Sequence, residues 1–330
     1  MTLTELACRI GTSVSTVSKA FSGSREISEG LRDKIFKEAK RIGCFEKYYK
    51  GPCERRIIAV LIPESESECY GIQLGVLERE LDKRGADTVV GITRFDADRE
   101  ARLFSELVYR MKVDGVVLIG GGSKIKNPDE IPLVIVGGVG GNLNADYIKS
   151  NSKESIFELV RLMKEYGHKR IGFIGEKLTG GRLNSFKQAM RSCGLPISEK
   201  YIAVDNNKRF AEAGEATMQM LLDSGDLPTV IVAAYDQIAY GAMNRALKCG
   251  LRVPEDISFV GFDDISVTPY LGVPLTSVRT EIGNVCEQII DLVFKRIDNK
   301  HYRKRREIII PTSVFIRESL KNLNESKNDN

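Results

Sequence analysis

Gly11-Thr12-Ser13-Val14-Ser15-Thr16-Val17-Ser18-Lys19-Ala20-Phe21 decides how the first part of this 330-residue chain folds. Upstream, Leu3, Leu6, Ala7 and Ile10 share one face at helical spacing. Thr2 is placed to cap that helix, with Glu5 three residues on completing a capping box. Gly11 stops it, Thr12-Ser13 makes a turn, and Ser13 caps a second short helix, Val14 to Phe21, that buries Val17 and Phe21. Gly23 ends the second helix. A third starts at a Ser28 cap and runs to about Ile42, with Leu31, Ile35, Ala39 and Ile42 inward. Two short helices joined by a glycine-containing turn and covered by a third make a helix-turn-helix.

The second helix exposes Val14, Ser15, Thr16, Ser18 and Lys19. Small and donor-bearing side chains of this kind enter a major groove without clash and reach thymine methyls, base edges and phosphates. Helix N-termini at Thr2, Ser13 and Ser28 offer backbone N–H groups to phosphate. With Thr4, these nine residues are the candidate contacts to double-stranded DNA; a three-helix bundle without a ligand is the competing interpretation. Charge favours DNA. Residues 1–56 hold 12 Lys+Arg against 7 Asp+Glu, net +5, whereas the remaining 274 hold 37 against 38, net −1. A basic module on a neutral body suits a polyanion partner.

The strings Thr2-Leu3-Thr4-Glu5-Leu6-Ala7, Gly11 to Phe21, Ile27-Ser28-Glu29 and Ala39-Lys40-Arg41-Ile42-Gly43 closely resemble the DNA-binding head of the lactose-repressor family of bacterial regulators. The resemblance implies that Val14 and Ser15 are the main base readers. It puts Lys19 where the family usually has Arg, on a base or phosphate. At the joint, Cys44 to Arg56, the chain departs from the family. The Pro-Asn start, the Ala-Arg pair and the Leu that wedges into the minor groove are missing, and Gly51-Pro52 opposes a helix. Two readings follow: binding with little kinking of DNA, which we favour, or an aromatic substitute for the wedge at Tyr48 or Tyr49.

From Ile57 the pattern changes to buried-strand runs alternating with amphipathic helices. The runs are Ile57–Ile62, Thr88–Ile92, Gly115–Ile119, Pro132–Val136, Arg170–Ile174, Thr229–Ala233 and Ser258–Phe262. The alternation specifies parallel sheets covered on both faces, here two doubly wound lobes with a ligand crevice at the strand ends. The family resemblance continues through Tyr166–Gly175, Asp236–Met243, Gly250–Asp264, Pro274–Arg279 and Arg317–Ser319, implying a periplasmic-binding-protein-like (type I) body. The expected organisation is a small all-α helix-turn-helix head at 1–46, a shortened hinge at 47–56 and an α/β effector-binding and dimerisation body at 57–320. Lobe 1 takes about 57–149 plus 280–309, lobe 2 about 150–279 plus 310–320, and 321–330 is a disordered tail.

By resemblance, Arg182, Phe210, Tyr235 and Asp263 are the effector contacts. Arg182 would hold a ring oxygen or hydroxyl, Phe210 would stack on a sugar face, and Asp263 would accept from hydroxyls. Tyr235 replaces the usual Asn, Ser150 a usual carboxylate and Thr280 a usual Gln. Glu64-Ser65-Glu66-Ser67-Glu68-Cys69 replaces an apolar entry loop. Its three carboxylates read first as a solvated acidic loop, second as a selector for a cationic ligand. Gly120–Ser123 and Gly137–Gly141 lack the spacing of nucleotide loops and read as turns. The basic run Lys300–Arg306 reads as a solvated loop.

Composition excludes several classes. The chain is 42% hydrophobic and 28% charged, a soluble globular mix. No apolar run approaches the roughly 20 residues that span a bilayer, and the start lacks a secretory pattern. Seven scattered cysteines, none spaced CxxC, read as reduced thiols in a cytoplasmic protein. With two histidines, His168 and His301, no catalytic, metal or cofactor set is expected. The function expected is a repressor that binds a pseudo-palindromic operator as a homodimer, with a tetramer as the larger assembly, and answers to a small effector, carbohydrate-like or another polar metabolite. The alternatives are control by a protein partner, or a cytosolic solute-binding protein with a vestigial head.

Overall fold

The structure is a computed structural model that describes residues 2–22, 24, 26–49, 55–127, 130–138, 143–299 and 305–325. Gly23, Gly51-Pro52, residues 139–141, residues 300–304 and residues 326–330, on which expectations fell, lie outside it. The chain divides into two compact units: residues up to Ile57 with Asp82–Asp87, and the remainder.

The first unit holds α1 (Leu3–Ile10), α2 (Val14–Phe21), α3 (Glu29–Arg41) and a one-turn α4 (Phe45–Tyr48). Local chemistry sets the first boundaries. The Glu5 amide donates to Thr2 Oγ1 at 3.2 Å and the Thr2 amide to Glu5 Oε2 at 2.7 Å, closing the capping box. Gly11, at φ +73°, ends α1 in the left-handed region, and its N–H reaches the Ala7 carbonyl. The Thr16 amide donates to Ser13 Oγ at 3.0 Å. Ser28 differs from expectation: it precedes α3, but its side chain makes no capping bond.

Leu6, Val17, Ala20, Phe21, Ile35, Ala39 and Phe45 form the core of this unit. α4 was not foreseen, and it changes the account of the joint. Tyr48 lies 6.0 Å from Phe21, centroid to centroid, and Tyr49 stacks on Phe45 at 4.5 Å. Both tyrosines that were candidates for a minor-groove wedge thus pack on the head's own aromatic cluster.

In the second unit the first lobe runs β1 (Arg56–Ile62), α5 (Glu68–Lys83), β2 (Ala86–Ile92), α6 (Ala97–Ser105), β3 (Gly115–Ile119), β4 (Leu133–Val136) and β5 (Asp146–Ser150). The chain crosses to the second lobe for α7 (Ser152–Glu165), β6 (Ile171–Glu176), α8 (Gly180–Ser192), β7 (Ile202–Asp205), α9 (Phe210–Asp223), β8 (Val230–Ala233), α10 (Asp236–Lys248), β9 (Ser258–Phe262) and β10 (Thr276–Thr280). It returns for α11 (Ile282–Asp298) and β11 (Glu307–Ile310), then passes through Pro311 into β12 (Thr312–Phe315). The sheet orders are β11-β5-β4-β3-β1-β2 and β12-β10-β9-β8-β6-β7.

The described pairings are parallel except that of β12 with β10. This corrects the expectation of wholly parallel sheets. β10 runs toward the crossing and β12 runs away from it, so the two meet antiparallel with no helix between sheets. Ile58 to Ile62 of β1 are fully buried, as their uninterrupted apolar run requires.

β5, β10 and β12 carry too many polar residues to show as buried strands. Asp146 of β5 is fully buried because Arg296 of α11 donates to it through Nε at 2.7 Å and Nη2 at 3.1 Å, and the Arg306 amide adds a third bond at 2.8 Å. Arg306, expected in a solvated loop, is therefore tied to the sheet. The expected disordered tail is also corrected over its first residues. The Lys321 carbonyl lies 2.9 Å from His168 Nε2, and Asn324 Nδ2 donates to the Glu165 carbonyl at 2.7 Å.

α9 and α10 meet through glycines. A Cβ on Gly214 would stand 2.1 Å from the Ile238 carbonyl oxygen, and one on Gly241 2.1 Å from that of Ala211. This close approach brings together the starts of both helices, where Phe210, Tyr235 and Asp236 sit.

Candidate functional site

In the head, α2 turns Val17, Ala20 and Phe21 into the core and leaves the opposite face outward. Val14 is 41% exposed, Ser15, Ser18 and Lys19 are exposed, and Thr16 is half-buried. Thr2, Thr4, Ser13 and Ser28 are exposed at or beside helix starts. An exposed valine at a helix start has no packing purpose within the head. No acidic residue stands in the first turn of α2, so its amides face solvent without a competing carboxylate. Two residues of this surface were missed from the sequence. Glu26 binds Lys19 Nζ at 2.5 Å, and that bond holds the Glu26 carboxyl below its ordinary range. Arg32 of α3 donates to the Ser24 carbonyl at 2.6 Å and steadies the loop after α2.

In the body, a cavity of about 410 Å³ opens between the lobes at their strand ends. Arg182, Phe210, Tyr235 and Asp263 all line it, although they come from four separate segments. Arg182, in the first turn of α8, donates to the Ala234 carbonyl and lies 4.6 Å from the Phe262 ring centroid, so two strand ends hold its guanidinium in place. Asp263 follows β9 at φ +95°, and its amide donates to the Val278 carbonyl at 2.8 Å. Burial pushes its carboxyl upward, and Arg182 opposes the rise. Phe210 starts α9 at φ +54°, its ring edge-on to Tyr235 at 6.0 Å, and its amide donates to Tyr235 Oη at 3.4 Å. Strained backbone of this kind at Phe210 and Asp263 persists where surrounding structure over-determines it, often at ligand clamps.

Asp236 supports this wall from behind. It is fully buried, Ser277 Oγ donates to it at 2.6 Å and the Ile265 amide at 2.9 Å. Burial, with Asp263 nearby, pushes its carboxyl well above the ordinary value. Cys69 and Tyr70 of α5 line the facing side, each pushed up to about 12 by burial, so both are neutral donors. A second cavity of about 210 Å³ shares Cys69, Tyr70, Arg182 and Asp263 and continues to Ser150 and Thr280, the positions that depart from the family pattern.

The acidic entry loop is not the solvated loop expected. Glu64 is 9% exposed and bidentate to Arg209, and Glu68 Oε1 accepts the Ser266 amide at 2.8 Å. Only Glu66 of the three is exposed. Arg209, Glu176 and Phe95, which also line the cavity, went unremarked in the sequence. Only the fold sets them beside one another. The Gly122 amide donates to Glu100 Oε1 at 2.8 Å, so this glycine loop binds its own chain.

A model for a periplasmic binding protein-like domain matches residues 160–320. The chain is 29% identical over 301 residues to the HTH-type transcriptional repressor CytR of Escherichia coli K12, covering 86% of each chain. It is 27% identical over 336 residues to the ribose operon repressor of Haemophilus influenzae, covering 98% of this chain and 99% of that one. The chain is thus similar to repressors of the lactose-repressor family. The fold agrees: the lac repressor dimer bound to operator superposes with a TM-score of 0.72 at 18% identity, covering 97% and 99% of the two chains. The complex of the transcriptional regulator CelR with cellobiose gives 0.67 at 24%, covering 97% and 100%. Both of the sequence relatives, CytR and the ribose operon repressor, are transcriptional repressors. Among the described residues, no helix is long and apolar enough to cross a membrane.

Proposed function

We propose that this chain is a repressor of the lactose-repressor family, binding a pseudo-palindromic operator as a homodimer in the cytoplasm and releasing or tightening on it when a small polar metabolite enters the cleft. The observation that carries the DNA half is the outward face of α2, where Val14 stays exposed while Val17, Ala20 and Phe21 anchor the other side. Val14 and Ser15 are assigned to base edges, Thr16, Ser18 and Lys19 to base edges or phosphate, and Thr2, Thr4, Ser13 and Ser28 to phosphate. Two-fold symmetry would present two such helices to two half-sites one helical turn or a multiple apart.

For the effector half, Arg182, Phe210, Tyr235 and Asp263 converge on one cavity of a size suited to a metabolite. Arg182 and Asp263 are assigned to hydroxyls or ring heteroatoms, and the Phe210 and Tyr235 rings to the ligand's apolar face. Coupling between cleft and operator would be worth about 1–3 kcal/mol, as is typical of such linkage.

The test is selection of bound duplexes from a random DNA pool by the full-length protein. Recovery of two inverted half-sites at fixed spacing supports the proposal. Equal retention of scrambled competitor overturns it. Affinity should also fall steeply with salt, since Lys19 and the helix N-termini meet phosphate.

A further inference from the structure

We propose that Arg209 is a built-in bridge between the two lobes of the body, so that closure of the cleft is set by the chain's own charges, with Glu64 as the partner whose release opens it. Arg209 stands immediately before α9 in the second lobe. Its Nε lies 3.0 Å and 3.2 Å from the two carboxylate oxygens of Glu176, at the end of β6 in the same lobe. Its Nη1 and Nη2 reach across the cleft to the two oxygens of Glu64, which follows β1 in the first lobe, the Nη2 bond being 3.2 Å. The guanidinium also lies 4.5 Å from the Phe210 ring centroid in its own lobe and 5.6 Å from that of Phe95 in the other.

Each half of this arrangement has a distinct role. Glu176 is 1% exposed and belongs to Arg209's own lobe, so it positions the guanidinium. Glu64 is the side that joins lobe to lobe. Bidentate Arg–carboxylate pairs fix geometry as well as energy, and a shielded carboxylate that loses its cation is costly to keep in place. Opening the lobes would separate Glu64 from Arg209 and Phe95 from the guanidinium at once. Among the described residues, a further polar contact across the cleft is the Ser266–Glu68 bond.

The inference concerns the body and does not depend on operator binding. Its test is hydrogen–deuterium exchange on the full-length protein as wild type, E64Q, E176Q, R209Q and E64Q/R209Q, with no added ligand. E64Q and R209Q should each speed exchange about tenfold, the size of a typical coupling, in peptides covering residues 64–72 and 178–185, one from each lobe. E176Q should act on the second-lobe peptide alone, and the double variant should open no further than either single one. Unchanged exchange at 178–185 in E64Q, or strictly additive effects in the double variant, overturns the bridge. If R209Q does not fold, the contrast of E64Q with E176Q still decides.

Discussion

Gly241 passes so close to Ala211 that a Cβ on the glycine would stand 2.1 Å from the alanine's carbonyl oxygen. The contact presses α10 on α9 and thereby sets Tyr235 against Phe210 in the cleft wall. Backbone on one side cannot yield as a flexible side chain would. G241A should therefore destabilise the body by about 1–3 kcal/mol, the usual cost of overpacking. Urea unfolding should show a lower midpoint at unchanged slope, the mark of a change in stability without a change in the surface exposed on unfolding.

The head's caps differ in what they do. Ser13 Oγ accepts the Thr16 amide and Thr2 closes a reciprocal box, whereas Ser28 makes no side-chain bond. T2A and S13A should each lower head stability by about 1 kcal/mol, and S28A by a few tenths at most. Amide exchange in α1, α2 and α3 reads the difference. A loss in S28A equal to that in S13A would contradict the capping geometry.

Lys19 is held by Glu26 on the proposed DNA face. E26Q should free the ammonium and tighten DNA binding. K19M should weaken it across all sequences and reduce the slope of log affinity against log salt by about 1. Titration of a selected duplex at several salt concentrations gives both quantities. A change of sequence preference in K19M without a change of slope would place Lys19 on a base instead.

Acidity should act through Asp236. Its carboxyl is raised in the folded chain, so its protonated form is favoured by folding. The sign follows: its contribution is full below the ordinary carboxylate range and is lost as pH rises through the raised value. D236N, which keeps a carbonyl oxygen to accept the Ile265 amide and sets a neutral amide against Ser277 Oγ, should abolish this part of the pH dependence. Glu100 and Asp263 act in the same direction. Asp256 opposes them: its carboxyl is lowered to about 2 by Arg252, so its contribution is lost only as pH falls from about 4 toward 2. Stability of wild type minus D236N, measured from pH 4 to 8, should decline with pH.

Local pattern made the head legible. Caps, a stop glycine and an apolar stripe act within a few residues of one another, so Thr2, Ser13, Gly11, Val17 and Phe21 announce their places without knowledge of the rest. The continuous runs of β1, β3, β8 and β9 announce themselves for a similar reason, because strands buried on both faces need apolar residues throughout. β5 and β10 were hidden because the side chains of Asp146, Thr276 and Ser277 are satisfied by partners distant in the chain: Arg296, Arg317 and Asp236. α4 was hidden because one turn is too short for periodicity, and Tyr49 owes its place to Phe36 and Phe45.

By itself the sequence determined the head with its outward helix, the two-lobed α/β body, and the identities of Arg182, Phe210, Tyr235 and Asp263 as cleft candidates. Their placement on one wall, the direction of β12, the packing of Tyr48 and Tyr49, and the union of Glu64 with Arg209 and Glu176 were decided by tertiary structure alone. Periodicity and capping are short-range properties that sequence displays directly. Charge pairing across 145 residues, from Glu64 to Arg209, exists only once two sheets have brought their strand ends together.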